Sequence, residues 1–180
     1  TDELAAVVEA VRQAGLTRVL VLGMGGSGLF PEVCRRVFGV APHHPDLVVL
    51  DTTDPTAIRG SSRGVMPAQL LLVVSSKSGS TVEVTALSTH FAAVLTAAGQ
   101  DVGAHCLAVT DAGTPLETLA REWQCRRAFV HGPGTGAEVG GRFSALTYFG
   151  LLPAVLIGVN VAELLRRAVQ YLFEDGTGCS

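Results

Sequence analysis

The sequence predicts an α/β protein, a three-layer αβα sandwich built around a five-stranded parallel sheet. Three observations support this prediction: short apolar runs recur along the chain, helical stretches separate them, and turn residues follow them. Strands that are joined through helices lie parallel, because right-handed crossovers return each strand in the same direction. Ligands of such sheets bind beyond the carboxyl ends of the strands.

The individual elements follow from apolar spacing. Leu4, Val7, Val8 and Val11 share one helical face, and Gly15 follows them, which predicts a helix over residues 2–14. The five predicted strands are apolar runs at residues 18–22, 47–50, 70–74, 106–109 and 128–130. The other crossover helices are predicted near residues 28–38, 81–98 and 115–123.

The end of the chain has a different character. Beyond Arg142, residues 143–157 and 161–172 predict two largely apolar helices with no strand between them. We therefore expect residues 1–180 to form one domain, whose helices within 143–180 pack on a second domain or a partner. A hydrophobic content of 48% against 16% charged residues also indicates apolar surface that association covers.

Charge and cysteine usage narrow the class of protein. A net charge of -3 gives no basic field for nucleic acid or anionic lipid. The longest apolar run, residues 149–159, contains Pro153 and is too short to span a membrane. The four cysteines lack Cys-x-x-Cys spacing, which is typical of reduced, cytoplasmic proteins: Cys34, Cys106, Cys125 and Cys179.

A glycine loop follows the first predicted strand. Residues 23–28 match Gly-x-Gly-x-x-Gly between a strand and a helix, and Asp51 ends the next strand about 20 residues later, as in dinucleotide-binding domains. Binding of a nicotinamide or flavin cofactor is therefore one interpretation. The other is that the glycines serve only a tight turn.

A second loop follows the third predicted strand and offers a phosphate cradle. Residues 75–81 combine four hydroxyls of serine, Lys77, a glycine and Thr81 at the start of a helix. Hydroxyls, backbone N–H groups, the helix dipole and the lysine charge all favour a phosphate dianion. Ser80 and Glu83 also match a capping box, a structural role compatible with phosphate binding.

Two motifs together resemble one enzyme family. The sequences Ser-Lys-Ser-Gly-Ser-Thr at residues 76–81 and Gly-Gly-Arg-Phe-Ser at 140–144 resemble the glucose-6-phosphate isomerase family, in its first sugar isomerase (SIS) domain. Residues 21–27 and 51–55 look most like the isomerase half of bacterial transaldolase/glucose-6-phosphate isomerase fusion proteins. The resemblance implies a SIS fold, which is flavodoxin- or Rossmann-like.

The resemblance also implies roles for residues. The phosphate-binding positions would be Ser76, Lys77, Ser78 and Thr81. The positions beside the sugar would be Gly25, Gly26 and Ser27. Arg142 would stabilise the negative charge of an enediolate while glucose 6-phosphate and fructose 6-phosphate interconvert, as a step of glycolysis and gluconeogenesis. Neither a cofactor nor a metal is implied.

The groups that transfer protons in this family are not recognisable in the chain. The family's catalytic glutamate, ring-opening histidine and lysine come from sequence downstream of the matching region, and neither Glu83 nor Glu138 is a candidate base. We expect the chain alone to bind phosphosugar with little or no turnover. The histidines follow no metal-ligand pattern and are expected to have ordinary surface roles: His43, His44, His90, His105 and His131.

Two other functions remain open at this point. A stand-alone SIS module could sense a phosphosugar and form a homodimer through its apolar helices, although the sequence shows no DNA-binding or effector segment. An NAD-binding domain is the second alternative, resting on the first glycine loop and Asp51.

Overall fold

A computed structural model describes residues 2–134 and 139–174. In this part of the chain the strands are β1 (Arg18–Leu22), β2 (Asp46–Leu50), β3 (Leu70–Ser75), β4 (Cys106–Asp111) and β5 (Arg127–His131). The α-helices are α1 (Asp2–Gln13), α2 (Gly26–Phe38), α3 (Pro55–Ser61), α4 (Val82–Ala97), α5 (Pro115–Glu122), α6 (Tyr148–Leu156) and α7 (Val161–Glu174).

The five strands form one parallel sheet in the order β2-β1-β3-β4-β5. This is the doubly wound order of flavodoxin-like folds, in which the connections change direction between β1 and β3. The predicted fold class is therefore confirmed. The carboxyl ends of β1, β3 and β4 lie side by side and position the loops that follow them.

Helices cover both faces of the sheet and create two apolar cores. One core packs side chains of α1, α2, α6 and α7 against Val73 and Val109. The other packs α3, α4 and α5 against Leu72 and Val74. Successive residues of a strand point to opposite faces of the sheet. Because each face is covered by a core, the residues on both faces must be apolar, which explains the uninterrupted hydrophobic runs in the sequence.

The structure corrects the prediction of one long helix over residues 143–157. A 3-10 turn, Gly141–Leu146, comes first, and α6 begins only after Thr147. The Thr147 hydroxyl accepts a hydrogen bond from the backbone N–H of Phe149 at 3.4 Å and caps the new helix. Apolar content alone does not separate these two helical segments.

Helix α3 was absent from the sequence-based prediction, although its start carries a clear signal. One oxygen of Asp54 accepts hydrogen bonds from the N–H groups of Thr56 and Ala57, each at 2.9 Å, and Pro55 occupies the first helical position. Asp-Pro at the start of a short helix is a favoured N-terminal pair, because proline needs no N–H partner there.

Replacing Asp54 with alanine is expected to lower the free energy of unfolding by about 1 kcal/mol, the usual loss for a removed N-cap. Thermal unfolding followed by circular dichroism measures the change. Asp54→Asn is the matched control, since asparagine keeps an oxygen for the same N–H groups. Equal melting temperatures for wild type and Asp54→Ala would contradict the capping role.

The described cysteines differ in burial and in the direction of their pKa shifts. Burial raises the pKa of Cys34 to about 11. A thiol hydrogen bond between Cys106 and Cys125 raises the pKa of Cys106, which is also buried, and lowers the pKa of the more accessible Cys125. The thiolate is the reactive form, so Cys125 is the described cysteine most prone to react. Cys179, the fourth cysteine that was predicted to be reduced, lies outside the described residues.

Iodoacetamide is expected to alkylate Cys125 before Cys34 and Cys106 in the folded protein. Peptide mapping after brief treatment at neutral pH identifies the modified residue. The same treatment in denaturant is the control and should remove the difference among these cysteines. Preferential alkylation of Cys34 in the folded protein would contradict the prediction.

Within residues 2–134 and 139–174, no helix combines the length and the apolar character that crossing a bilayer would require.

Candidate functional site

A cleft of about 440 Å³ opens at the carboxyl ends of β1, β3 and β4. Its lining comes from the loops after these strands and from the turn before α6: Met24, Gly26, Ser27, Ser75, Ser76, Lys77, Ser78, Thr81, Asp111 and Gly141. The Ser75 hydroxyl is fully buried and has no hydrogen-bond partner within the described part of the chain. A buried hydroxyl without a partner can be satisfied by a polar ligand.

The loop after β3 is held in shape by its own side chains. Ser76 and Thr81 share a hydrogen bond between their hydroxyl oxygens at 3.0 Å, and Ser76 Oγ also accepts from the N–H of Gly79 at 3.1 Å. Gly79 has a φ of +65°, and a Cβ there would lie 2.5 Å from Thr114 Cβ. Glycine is therefore required at this position both by backbone conformation and by space.

The helix that follows this loop has an uncapped start. The N-cap of α4 is Thr81, and its side chain accepts no capping hydrogen bond. The predicted capping box of Ser80 and Glu83 is therefore wrong, since the helix begins one residue later and Glu83 is exposed. Ser80 instead donates a hydrogen bond to Ser78 at 3.3 Å. Backbone N–H groups at an uncapped helix start favour an anion.

Lys77 is the only lysine in the chain and is paired with a residue that the sequence analysis missed. Its Nζ donates a hydrogen bond to Asp111 Oδ2 at 2.6 Å, and the two side chains are 24% and 21% exposed. The backbone N–H of Asp111 also donates to the carbonyl of Lys77 at 3.3 Å. The sequence did contain a signal for this pair, because Lys77 and Asp111 both lie at the carboxyl ends of apolar runs that become neighbouring strands.

The two predicted motifs meet through their glycines. A Cβ on Gly26 would lie 2.1 Å from the carbonyl oxygen of Gly141, so the turn before α6 can approach the start of α2 only because Gly26 has no side chain. This contact brings the Gly-Gly-Arg motif to the cleft. It joins residues far apart in sequence and was not predictable from either motif alone.

The predicted residues beside the sugar do not all lie in one cavity. Gly26 and Ser27 line the cleft, whereas Gly25 lines a neighbouring cavity of about 620 Å³ together with Gly28 and Asp51. Gly28 also has a packing role, since a Cβ there would lie 2.9 Å from the carbonyl oxygen of Gly23. The Gly-x-Gly-x-x-Gly pattern is thus explained partly by close packing of α2 on the sheet.

Arg142 lies beside the cleft without lining it. Its side chain is exposed, and the guanidinium carbon lies 4.8 Å from the centroid of the Phe143 ring. The backbone nitrogen of Arg142 is 3.0 Å from the position that a Cβ on Gly26 would occupy. The turn therefore places Arg142 next to the glycine loop, with its long side chain directed at an aromatic ring.

The predicted surface roles of the histidines are wrong for two of them. His105 is buried, and its Nδ1 lies 2.6 Å from the carbonyl oxygen of Leu70. His131 is also buried, at the carboxyl end of β5.

Within residues 2–134 and 139–174, no three potential metal ligands among His, Cys, Asp and Glu cluster together. Glu138 lies outside the described residues.

Comparison with known proteins agrees with this geometry. The model of the family described as phosphoglucose isomerase matches residues 8–172. Glucose-6-phosphate isomerase 1 of Arabidopsis thaliana is 34% identical over 89% of this chain and 26% of its own length. Glucose-6-phosphate isomerase of Rubrobacter xylanophilus is 34% identical over 94% of this chain and 41% of its own length.

A solved structure gives the same result in three dimensions. Glucose-6-phosphate isomerase from Chlamydia trachomatis superposes with a TM-score of 0.75 and 27% identity, over 89% of this chain and 29% of that protein. The chain thus spans less than half the length of each of these relatives. A match that covers most of this chain, together with the shared fold, shows that the chain belongs to the phosphoglucose isomerase family.

Proposed function

We propose that this chain is the phosphosugar-binding SIS domain of a glucose-6-phosphate isomerase. In the complete protein it would interconvert glucose 6-phosphate and fructose 6-phosphate through an enediol or enediolate. The observation that carries the proposal is the cleft at the carboxyl ends of the strands, where Lys77, several hydroxyls and an uncapped helix start converge. The family of the chain supports the choice of substrate.

In this proposal the loop after β3 anchors the phosphate. Ser76, Lys77, Ser78 and Thr81 supply hydroxyls and one ammonium group at the start of α4. The ammonium stays close to a carboxylate until a phosphate dianion, with its larger charge, competes with Asp111 for it. Binding the phosphate fixes one end of the sugar, which leaves the reacting carbons to be positioned by other loops.

The glycine loop and Arg142 would serve the other end of the sugar. Gly26 and Ser27 line the cleft, and Gly25 precedes them at the start of α2. Arg142 would leave the Phe143 ring and turn towards the substrate, where a permanent cation stabilises the negative charge that develops on an enediolate.

No carboxylate on the described part of the cleft other than Asp111 could act as a base, and Asp111 is paired with Lys77.

We also propose that the apolar helices at the end of the chain pack on a second SIS domain or on another copy of the chain. Large apolar side chains of α7 are exposed: Val169 by 51%, Tyr171 by 69% and Phe173 by 77%. Such a surface indicates a contact with other protein.

The cytoplasm is the proposed compartment, because Cys34 and Cys106 are buried and unbridged.

Calorimetry with a phosphorylated sugar acid tests the proposal. The chain is expected to bind 6-phosphogluconate and not gluconate, since the phosphate carries the recognition. Acetic anhydride provides a second readout: Lys77 is the only lysine, and bound 6-phosphogluconate should protect it while the N-terminal amine stays reactive. Equal affinity for the two ligands would refute a phosphate-binding role.

Turnover and cofactor binding distinguish the remaining possibilities. A coupled assay with fructose 6-phosphate should show little or no isomerase activity from residues 1–180 alone; robust activity would contradict the proposal that the catalytic base lies elsewhere. Calorimetry should detect no binding of NADH to the chain. Tight NADH binding would instead favour a dinucleotide site in the cavity lined by Gly25, Gly28 and Asp51.

A further inference from the structure

Three polar residues form a row across neighbouring strands at the edge of the cleft. Asp111 and His131 are direct partners in the parallel pairing of β4 and β5. On its other side, the backbone N–H of Asp111 donates to the carbonyl of Lys77, just beyond β3. Lys77, Asp111 and His131 therefore stand at one level of the sheet, and paired residues of adjacent strands project their side chains to the same face.

Two members of this row have polar atoms without a partner. Asp111 Oδ2 accepts from Lys77, but Asp111 Oδ1 is buried and makes no hydrogen bond with any described residue. Both ring nitrogens of His131 are likewise buried and make no hydrogen bond of good geometry in the described structure, although the carbonyl of Thr110 lies close enough to influence the pKa of the ring; the residue is only 1% exposed. A buried polar group without a partner costs about 1–3 kcal/mol, so two complementary ones at adjacent positions require an explanation.

Aromatic rings hold the imidazole in place. His131 stacks on Phe149 with ring centroids 5.0 Å apart and an interplanar angle of 13°, and the Tyr148 ring lies 5.4 Å away. The Tyr148 hydroxyl donates to Glu3 at 2.9 Å and is thus committed elsewhere. The ring of His131 is confined between apolar surfaces, and the carboxylate of Asp111 stands at its level on the next strand.

Electrostatics agrees with this placement. Burial lowers the pKa of His131, and the Lys77 ammonium lowers it further, whereas the carbonyl of Thr110 and the carboxylate of Asp111 oppose the change. The imidazole is therefore neutral at pH 7 and carries one N–H. It also lies within electrostatic reach of both other members of the row.

We propose that His131 is a positioning residue for the phosphate site: its N–H donates to Asp111 Oδ1 and fixes the carboxylate that holds Lys77. This bond would give Asp111 Oδ1 and one ring nitrogen of His131 the partner that each lacks. With its carboxylate held at both oxygens, Asp111 presents the Lys77 ammonium to the phosphate in one orientation. The inference rests on the proposed function and adds a residue that touches no substrate.

The row also makes anion binding depend on pH. Among the described residues, the titratable groups around His131 are Asp111 and Lys77 on the strand side, Glu3 from α1 and Tyr148 from α6, whereas α7 contributes the apolar Val161 and Leu165. Protonation of His131 adds a positive charge at the level of Lys77 and Asp111, which strengthens anion binding. Affinity for sulfate, which stays a dianion from pH 5 to 8, should therefore rise several-fold as the pH falls.

Two substitutions separate the hydrogen bond from packing. His131→Phe keeps an aromatic ring against Phe149 but has no N–H, whereas His131→Gln keeps an N–H donor. We expect His131→Phe to weaken 6-phosphogluconate binding about threefold to tenfold at pH 8 and to lose the pH dependence of sulfate binding. His131→Gln should recover most of the affinity at pH 8. In an Asp111→Asn background, His131→Phe should cause no further loss.

The outcomes are distinguishable from failure of the proposed function. Absence of 6-phosphogluconate binding by the wild-type chain contradicts the phosphate site itself and this inference with it. Wild-type binding with unchanged affinity and pH profile in His131→Phe overturns the inference alone. If His131→Phe does not fold, nitrogen NMR of the wild-type imidazole decides: binding of 6-phosphogluconate should shift one protonated ring nitrogen, and an unchanged signal would refute the hydrogen bond.

Discussion

Replacing Lys77 with methionine is expected to weaken the binding of 6-phosphogluconate about tenfold or more, since each factor of ten corresponds to about 1.4 kcal/mol. Lys77 is the only ammonium group that a side chain of this protein can offer, and it lines the cleft beside the uncapped start of α4. A hydrogen bond to a charged group contributes about 1.5–3 kcal/mol. Methionine retains much of the apolar stem and removes only the charge and its donors.

The control for this substitution must account for Asp111. Losing Lys77 leaves a carboxylate that is only 21% exposed without its cation, which lowers stability as well as affinity. Lys77→Met combined with Asp111→Asn removes both charges and should restore stability without restoring binding. Arg63→Ala removes one exposed cation at the turn that leads towards β3 and should leave affinity unchanged. Wild-type affinity in Lys77→Met would refute the anchoring role.

Replacing Gly26 with alanine is expected to cost about 1–3 kcal/mol of stability and to abolish measurable phosphosugar binding. The added Cβ would lie 2.1 Å from the Gly141 carbonyl oxygen and 2.4 Å from the Gly141 carbonyl carbon, both of which are backbone atoms. Backbone cannot move aside as a flexible side chain can, so the turn before α6 would have to move away from α2. That movement would both open the cleft and displace Arg142.

Gly60→Ala is the matched control for Gly26→Ala. A Cβ on Gly60 in α3 would meet no heavy atom within 4 Å, and alanine is the better helix former, so stability should stay equal or rise slightly. Thermal unfolding and calorimetry with 6-phosphogluconate measure both variants. Normal stability and binding in Gly26→Ala would contradict the contact between the two motifs.

The phosphate loop shows why part of the site could be predicted. Its hydroxyls and Lys77 lie within seven successive residues, 75–81, that follow an apolar run, so their nearness in the chain alone places them at the end of β3. The capping box failed for a local reason. The hydroxyl of Thr81 bonds to Ser76 instead of capping, and the helix starts one residue later than the Ser-x-x-Glu pattern requires.

The histidines show where such reasoning ends. The sequence around His131 suggests a short strand next to a glycine-rich loop, and nothing local predicts that α6 will cover it. In the structure Phe149 and Tyr148 of that helix enclose the ring, which converts an expected surface residue into a buried one. Whether a strand end is covered depends on which helix packs there, and that is a property of the whole fold.

The sequence by itself determined the parallel sheet, because strands buried on both faces need continuous apolar runs, and it determined the loop that offers hydroxyls and Lys77 to a phosphate. Only the tertiary structure decided the row of Lys77, Asp111 and His131 and the contact of Gly26 with Gly141. These pairings join residues that are tens of positions apart. They depend on strand order and on helix packing, neither of which is encoded in the periodicity of any single segment.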